Sequence, residues 1–245
     1  MIKKIVLSFI NFLDFFHKRK ILLFLKKKKF HHFNTLFDIG AHKGESIDFF
    51  LSNFKVDKII SFEASSFNFK FLKNNEAKFV KKFKDTNIII ENTAIGSDNK
   101  EVILNQLNES SSSTINEIDT KSSYYKKKFK ILNFFHNDPV SKPTKTNLIT
   151  LENYMRIKNI EIVDLLKIDT EGYEYEVLLG LKDKISNIKI IIFEHHYDNM
   201  IKKNYTYADI NKLLTENNFE KIFKAKMPLR KTFEYIFINK GSLIG

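Results

Sequence analysis

The sequence predicts an α/β fold: a mostly parallel sheet of about seven strands, helices on both faces, and a last strand running antiparallel. Three observations predict it. From Thr35 onward, short apolar runs alternate with helical patterns of ten or more residues, which is how crossover units read. The last two strand-like runs are joined too closely for a crossover helix, so the final one must run back against its neighbour. With 245 residues and a 43% hydrophobic share, the chain suits one sizeable core.

Taken in order, Thr35–Gly40 reads as a buried strand entering a loop, and Glu45–Phe54 as a helix with Ile47, Phe50, Leu51 and Phe54 on one face. Lys58–Phe62 is a second strand. Phe67–Phe79 is a helix expected to turn Phe67, Phe71 and Leu72 inward. Asn87–Ile95 is a third strand, and Glu101–Leu107 a further short one. A polar stretch follows over residues 108–147, with the run Ser110–Ser113 and a basic segment Lys126–Lys130. So long a stretch is uncommon inside a domain unless it is functional or disordered. The alternating pattern resumes beyond it, so it reads as an insertion near the active-site edge.

Leu148–Leu151 is a short strand and Glu152–Lys158 a short helix. Val163–Ile168 and the very apolar Ile188–Phe193 are buried strands, with a helix over Tyr175–Ile185 between them. Tyr207–Asn217 is a helix whose inner face runs from Ala208 to Leu214. Phe219–Lys224 and Phe233–Ile238 close the chain as strands. Parallel strands ending in such a hairpin form the layout of the class I methyltransferase fold, a relative of the Rossmann sheet.

Charge divides the chain in two. Lys and Arg number 41 against 29 Asp and Glu, a net charge of +12, and there is no Cys. Without cysteine there is no disulfide framework, thiolate metal site or catalytic thiol, which fits a reducing cytoplasm. Residues 1–33 hold nine Lys/Arg against Asp14 alone, so +8 of the charge lies in this arm and residues 34–245 are only mildly basic. In the arm, Ile2, Ile5, Val6, Phe9, Leu13 and Phe16 share helical spacing. Its apolar stretches are too short to span a membrane, and no small-residue cleavage site marks a secretory signal. Two readings stand: peripheral contact of residues 1–30 with the inner face of the membrane, or a helix packed on the body.

The cofactor signals sit at strand ends, where open parallel sheets bind ligands. The first strand runs into Asp38-Ile39-Gly40-Ala41-His42-Lys43-Gly44, a D-x-G-x-x-x-G loop opening a helix. Gly40 permits a tight turn and close approach of a ligand, and Gly44 close contact near the helix start. Glu63 ends the second strand, where a carboxylate can accept hydrogen bonds from both hydroxyls of a ribose; Ala64 follows. Asn92 and Ala94, at the end of the third, suit an adenine edge and face.

FDIGAHKGE, SFEAS, ENTAIG, LITLENYM, LLKIDTEGYEYEVLLGL and IIFEHH, in that order, resemble the FkbM-type methyltransferase family over about Thr35 to His196. The resemblance implies S-adenosylmethionine as cofactor and O-methylation of hydroxyls on sugars, glycans or secondary metabolites. His42 and Ala64 depart from residues common in the family. The cofactor loop residues Asp38, Gly40, Ala41, His42 and Gly44, with Glu63, Ala64, Asn92 and Ala94, are the candidate cofactor contacts.

Methyl transfer to a hydroxyl needs the acceptor aligned and its proton removed. Asp169 and Glu171 stand at the fourth strand tip, Glu194 and His195 at the fifth, and these are the candidate catalytic residues. His195 or His196 is the natural base by its ordinary pKa, and strand alternation lets only one line the site. Lys167, two residues before Asp169, is expected to pair with that acid. Such side chains could also hold a divalent cation, but their spacing does not demand one, and no metal is expected. Two alternatives remain: an RNA methyltransferase, disfavoured because most of the charge lies in the arm and KIDTEG is not a base-stacking tetrad, or a non-catalytic membrane-surface protein on the same scaffold.

Overall fold

A computed structural model of the chain describes residues 2–106, 113–126 and 143–243. Helix α1 (Ile2–Lys27) is followed by β1 (His32–Ile39), α2 (Glu45–Asn53), β2 (Lys55–Phe62), α3 (Ser66–Lys82) and β3 (Asn87–Glu91). The short strands β4 (Ala94–Ile95), β5 (Lys100–Gln106), β6 (Ser113–Thr114) and β7 (Thr144–Ile149) come next. Then follow α4 (Leu151–Ile157), β8 (Val163–Ile168), α5 (Glu174–Leu179), β9 (Ile188–His196), α6 (Tyr207–Glu216), β10 (Phe219–Lys226) and β11 (Thr232–Asn239).

The main sheet has seven strands in the order β10-β11-β9-β8-β1-β2-β3. The pairs β1–β2, β1–β8, β2–β3 and β8–β9 are parallel, while β11 is antiparallel to both β9 and β10. The last strand is therefore the reversed one, as its short connection requires. Neighbouring residues serve opposite faces. Phe37, Ile60 and Leu166 point into one cluster under α4, α5 and α6, whereas Leu36, Ile59 and Leu165 point into another with α1, α2 and α3. Both faces are dry, so the central strands are apolar runs.

Several expectations need correction. The segment read as one third strand divides at Asn92-Thr93: β3 ends the main sheet, and Ala94–Ile95 pairs with β7 in a second sheet of order β4-β7-β5-β6. Phe67 and Phe71 face outward, 55% and 44% exposed, because α3 rolls Asn68 and Leu72 onto the core. The two rings meet edge to face at 5.0 Å instead. The helix expected over Tyr175–Ile185 stops at Gly180 and resumes as a 3-10 turn over Lys182–Asn187. A Cβ on Gly180 would lie 2.0 Å from the Gly96 carbonyl oxygen, so the helix end is pressed against that loop. On α6, Ile210 and Leu214 are buried but Ala208 is exposed. Of the polar stretch, residues 107–112 and 127–142 lie outside the described residues, including Ser110–Ser112 and most of the basic segment.

The arm packs on the body. Ile21 and Leu25 are buried with Ile190, Ile192 and Ile236 of the sheet, and Phe24 lies against Phe223 at 4.6 Å. His17 Nε2 meets Glu234 Oε2 at 2.8 Å, and Arg230 donates to Asp14 at 3.0 Å. Phe16, assigned by periodicity to the apolar face, is 43% exposed; the packed face is instead centred on His17, Ile21 and Leu25.

Candidate active site

A cavity of about 770 Å³ opens beyond the carboxyl ends of β1, β2, β8 and β9. Its floor at one end is the loop after β1. The Gly40 and Ala41 amides both donate to the Phe62 carbonyl, at 2.9 and 3.0 Å, which folds the loop tightly onto β2. Gly40 has φ +83°, and a Cβ there would lie 1.9 Å from the Asp169 carbonyl oxygen. Only glycine fits. Gly44, at φ +97°, serves packing. A Cβ there would meet the Phe79 ring at 2.6 Å, so the glycine lets α2 pack on α3 and does not line the cavity.

Glu63 lines the cavity from the tip of β2. One carboxylate oxygen accepts from the His42 amide at 2.7 Å and the other from the Ser65 amide at 2.8 Å. The Asn68 side chain also bonds this carboxylate, so of its roughly four acceptor sites about one is left for a hydroxyl donor. Burial pushes its pKa up to about 7, with the two amide hydrogen bonds and His42 pulling the other way. Ala41, His42, Ala64 and Ala94 line the same end. Asn92 does not; its side chain donates to the Glu63 and Ala64 carbonyls and so braces the loop from behind.

The other end is ionic. Asp38 is fully buried and stands beside Lys167 in the β1–β8 register. Lys167 Nζ lies 3.3 Å from Asp38 and 3.4 Å from Asp169, the pairing with the acid that sequence spacing indicates. Burial lowers its pKa, but the fields of Asp38, Asp169 and Glu194 outweigh that and hold it above the ordinary lysine value. For Asp38 burial pushes the pKa up, against the pull of Lys167.

Glu194 and His196 line the cavity from β9, together with Asp169 and Glu171 from the loop after β8. Glu194 lies directly across from Glu234 of β11. Burial, then Asp169 and Glu234, raise its pKa well above the usual carboxyl range. His196 Nε2 is 3.5 Å from Glu171, and Nδ1 is 3.1 Å from the Thr232 hydroxyl. Burial lowers its pKa, but Glu171, Asp198 and Glu194 together carry it up to about 10, so the imidazolium persists at neutral pH.

His195, a candidate from sequence, points to the opposite face. It is 3% exposed, ringed by Tyr197, Tyr205 and Tyr207, and not part of the cavity wall. Burial, then Lys203 and His196, lower its pKa to about 3. Alternation correctly requires that only one of the two histidines line the cavity; the structure assigns His196 to it.

Sequence reasoning misses Glu174. Buried at the start of α5, it accepts from the Gly172 amide at 2.9 Å, the Thr170 amide at 3.3 Å and the Tyr205 hydroxyl at 2.5 Å. It thereby fixes the loop that presents Glu171, whose φ is +50°. Also missed are Leu13, Asp14 and His17 of α1, Arg230 and Glu234, which wall the cavity's ionic end, and Ser113 and Thr114; Tyr124 lines the cavity as well.

This sheet order, with a glycine loop, an acid on the second strand tip and a reversed last strand, defines a class I S-adenosylmethionine-dependent methyltransferase fold. The chain belongs to the methyltransferase FkbM domain family, whose model matches residues 38–221. It is similar in fold to methyltransferase FkbM from Methylobacillus flagellatus KT, with TM-score 0.56 and 12% identity. That likeness covers 84% of this chain and 43% of that one, so the chain spans under half the length of this relative. It is also similar to magnesium protoporphyrin IX methyltransferase from Synechocystis PCC 6803 with bound S-adenosylmethionine. There the TM-score is 0.51 and the identity 10%, over 97% of this chain and 83% of that one. No curated protein matches the sequence. S-adenosylmethionine is the cofactor of this family and fold, and the residues present fit it: a side-chain-free cradle at Gly40, a carboxylate lining the cavity at Glu63, and small Ala64 and Ala94 beside them.

Proposed function

We propose that the protein transfers the methyl group of S-adenosylmethionine to a hydroxyl of a sugar, glycan or secondary metabolite. When bound, the cofactor supplies an electrophilic methyl group on a sulfonium. Gly40 and Ala41 would hold its amino-acid portion and Glu63 its ribose, leaving the reacting end beside Asp169 and Glu194. The observation that carries the reading is one cavity walled by both sets of residues.

Glu194 takes the role of proton acceptor. A base works best when its pKa approaches the working pH, and Glu194 is pushed in that direction. His196, held as a cation, serves as a fixed positive charge between Glu171 and Glu194 and not as the base. Asp169, tied to Lys167, accepts a hydrogen bond from the acceptor and aligns it. Carboxylates accept from hydroxyls without needing a particular base edge, which favours a polyol over a nucleobase.

Transfer of a labelled methyl group from S-adenosylmethionine to cell-envelope glycans, free sugars and RNA tests the reading. Label in a base-stable, hydroxyl-linked methyl on a glycan or small molecule is the expected result. Label in RNA bases alone would overturn the acceptor class.

A further inference from the structure

Helix α1 has two working faces. Its inner face carries Ile21 and Leu25 into the core and presents Leu13, Asp14 and His17 to the cavity. Its outer face is built differently. Phe15 and Leu23 are 59% and 57% exposed, and Phe16 packs edge-on against Phe15. On a helix of 3.6 residues per turn, Phe15, Arg19, Leu23, Lys26 and Lys27 fall on one side. Arg19, Lys20 and Lys26–Lys29 are all exposed, and residues 15–29 contain no acid; Lys18 is exposed too but borders the cavity. Asp14, the nearest one, is engaged inward with Arg230.

We propose that this outer face of α1 docks on an anionic lipid bilayer, lying in the plane of the headgroups. The proposal does not depend on the identity of the methyl acceptor. Exposed aromatic and aliphatic side chains bordered by lysines are what an interfacial helix uses, the apolar groups entering the headgroup boundary and the cations meeting lipid phosphates. Among the described residues no helix is long and apolar enough to cross a membrane, so the contact lies along the surface. A polynucleotide would be met by the cations alone and leaves Phe15 and Leu23 without a role. The helix is pinned to the body by the His17–Glu234 and Asp14–Arg230 pairs and by Phe24 on Phe223, so what binds α1 binds the whole enzyme. A helix is only about 10 Å across, so docking would bring the cavity wall to within one helix width of the headgroups.

Co-sedimentation of the full chain with vesicles of equal parts phosphatidylcholine and phosphatidylglycerol, against phosphatidylcholine alone, tests this. Two variants accompany it: Phe15→Ser with Leu23→Ser, and Lys26, Lys27, Lys28 and Lys29 all changed to Gln. Both spare Ile21 and Leu25, and unchanged thermal unfolding verifies the fold. The wild type should favour anionic vesicles by about a hundredfold or more, and the lysine variant, which removes four cations worth roughly fivefold each near the surface, should lose most of that preference. The serine variant should bind about tenfold more weakly. Three results would overturn the proposal: equal binding to both vesicles; wild-type binding by the serine variant with displacement by RNA, which makes the face a polyanion site; or a wild-type dimer in light scattering that the serine variant dissolves, which makes it a self-association surface.

Discussion

The two ends of the cavity are built on opposite principles. The cofactor end uses backbone, small residues and one carboxylate: Gly40 and Ala41 folded onto Phe62, with Glu63 held by two amides. The other end gathers Lys167, Asp169, Glu171, Glu194 and His196, with buried Asp38 against Lys167, and adds His17 and Glu234. The first binds by shape. The second is a balanced set of charges, in which removing one member leaves another without compensation. The ionic end should therefore be fragile to single substitutions, and the cofactor end should respond chiefly in binding.

The largest expected effect is on stability at the ionic end. Lys167→Met leaves Asp38 and Asp169 without their cation and should cost about 3–5 kcal/mol in urea unfolding. The loss should be greatest at high pH, where the raised Asp38 carboxyl is ionised, and shrink as that carboxyl takes up a proton in acid. A cost below about 1 kcal/mol would mean that the cluster is not held together by its charge balance.

Next comes turnover. Glu194→Gln should lower kcat by about 10²–10³ with little change in cofactor affinity. Wild-type turnover should rise with pH as the raised Glu194 carboxyl ionises. His195→Phe, on the far side of β9, should leave turnover within about threefold, because a buried neutral ring removed from the cavity makes no contact with substrate. Reversed ranking of the two variants would place the base on the wrong side chain.

At the cofactor end, Glu63→Gln should weaken S-adenosylmethionine binding by about ten- to hundredfold in calorimetry. Its pH dependence sharpens the contrast. A carboxyl raised from 4.5 to about 7 stabilises the fold fully below its unfolded pKa, and that contribution is lost as pH rises through 7. Ribose hydroxyls favour the anion, so cofactor affinity should rise as pH passes 7 in the wild type and stay flat in Glu63→Gln.

The smallest effect belongs to the rim. Arg230→Gln breaks a half-exposed pair with Asp14 and should cost under about 1 kcal/mol, a value that shrinks further in salt.

How legible each end is in the sequence follows the same division. The cofactor end is local: a strand, a glycine loop and an acid on the next strand tip lie within 30 residues, and their order alone marks them. Even there Gly44 and Asn92 read as contacts although they serve packing and bracing, because sequence shows proximity to a loop but not which way a side chain turns. The ionic end depends on register. Whether His195 or His196 faces the cavity is decided by the pairing of β9 with β11, where Glu234 falls opposite Glu194 and Thr232 opposite His196. The part played by α1 rests on partners 216 and 217 residues away, which no periodicity reports. Phe16, Phe67 and Phe71 are misplaced by periodicity for the same reason: a helical stripe fixes spacing, while tertiary contacts fix its rotation.

In the proposed reaction one cavity holds the cofactor at Glu63 and delivers its reacting end to Asp169 and Glu194. A crystal structure with S-adenosylhomocysteine bound tests this most directly. The ribose hydroxyls should lie within hydrogen-bond distance of the Glu63 carboxylate with the sulfur facing Asp169 and Glu194; a ligand seated elsewhere, or reversed so that its adenine lies against Asp169, would rule this arrangement out.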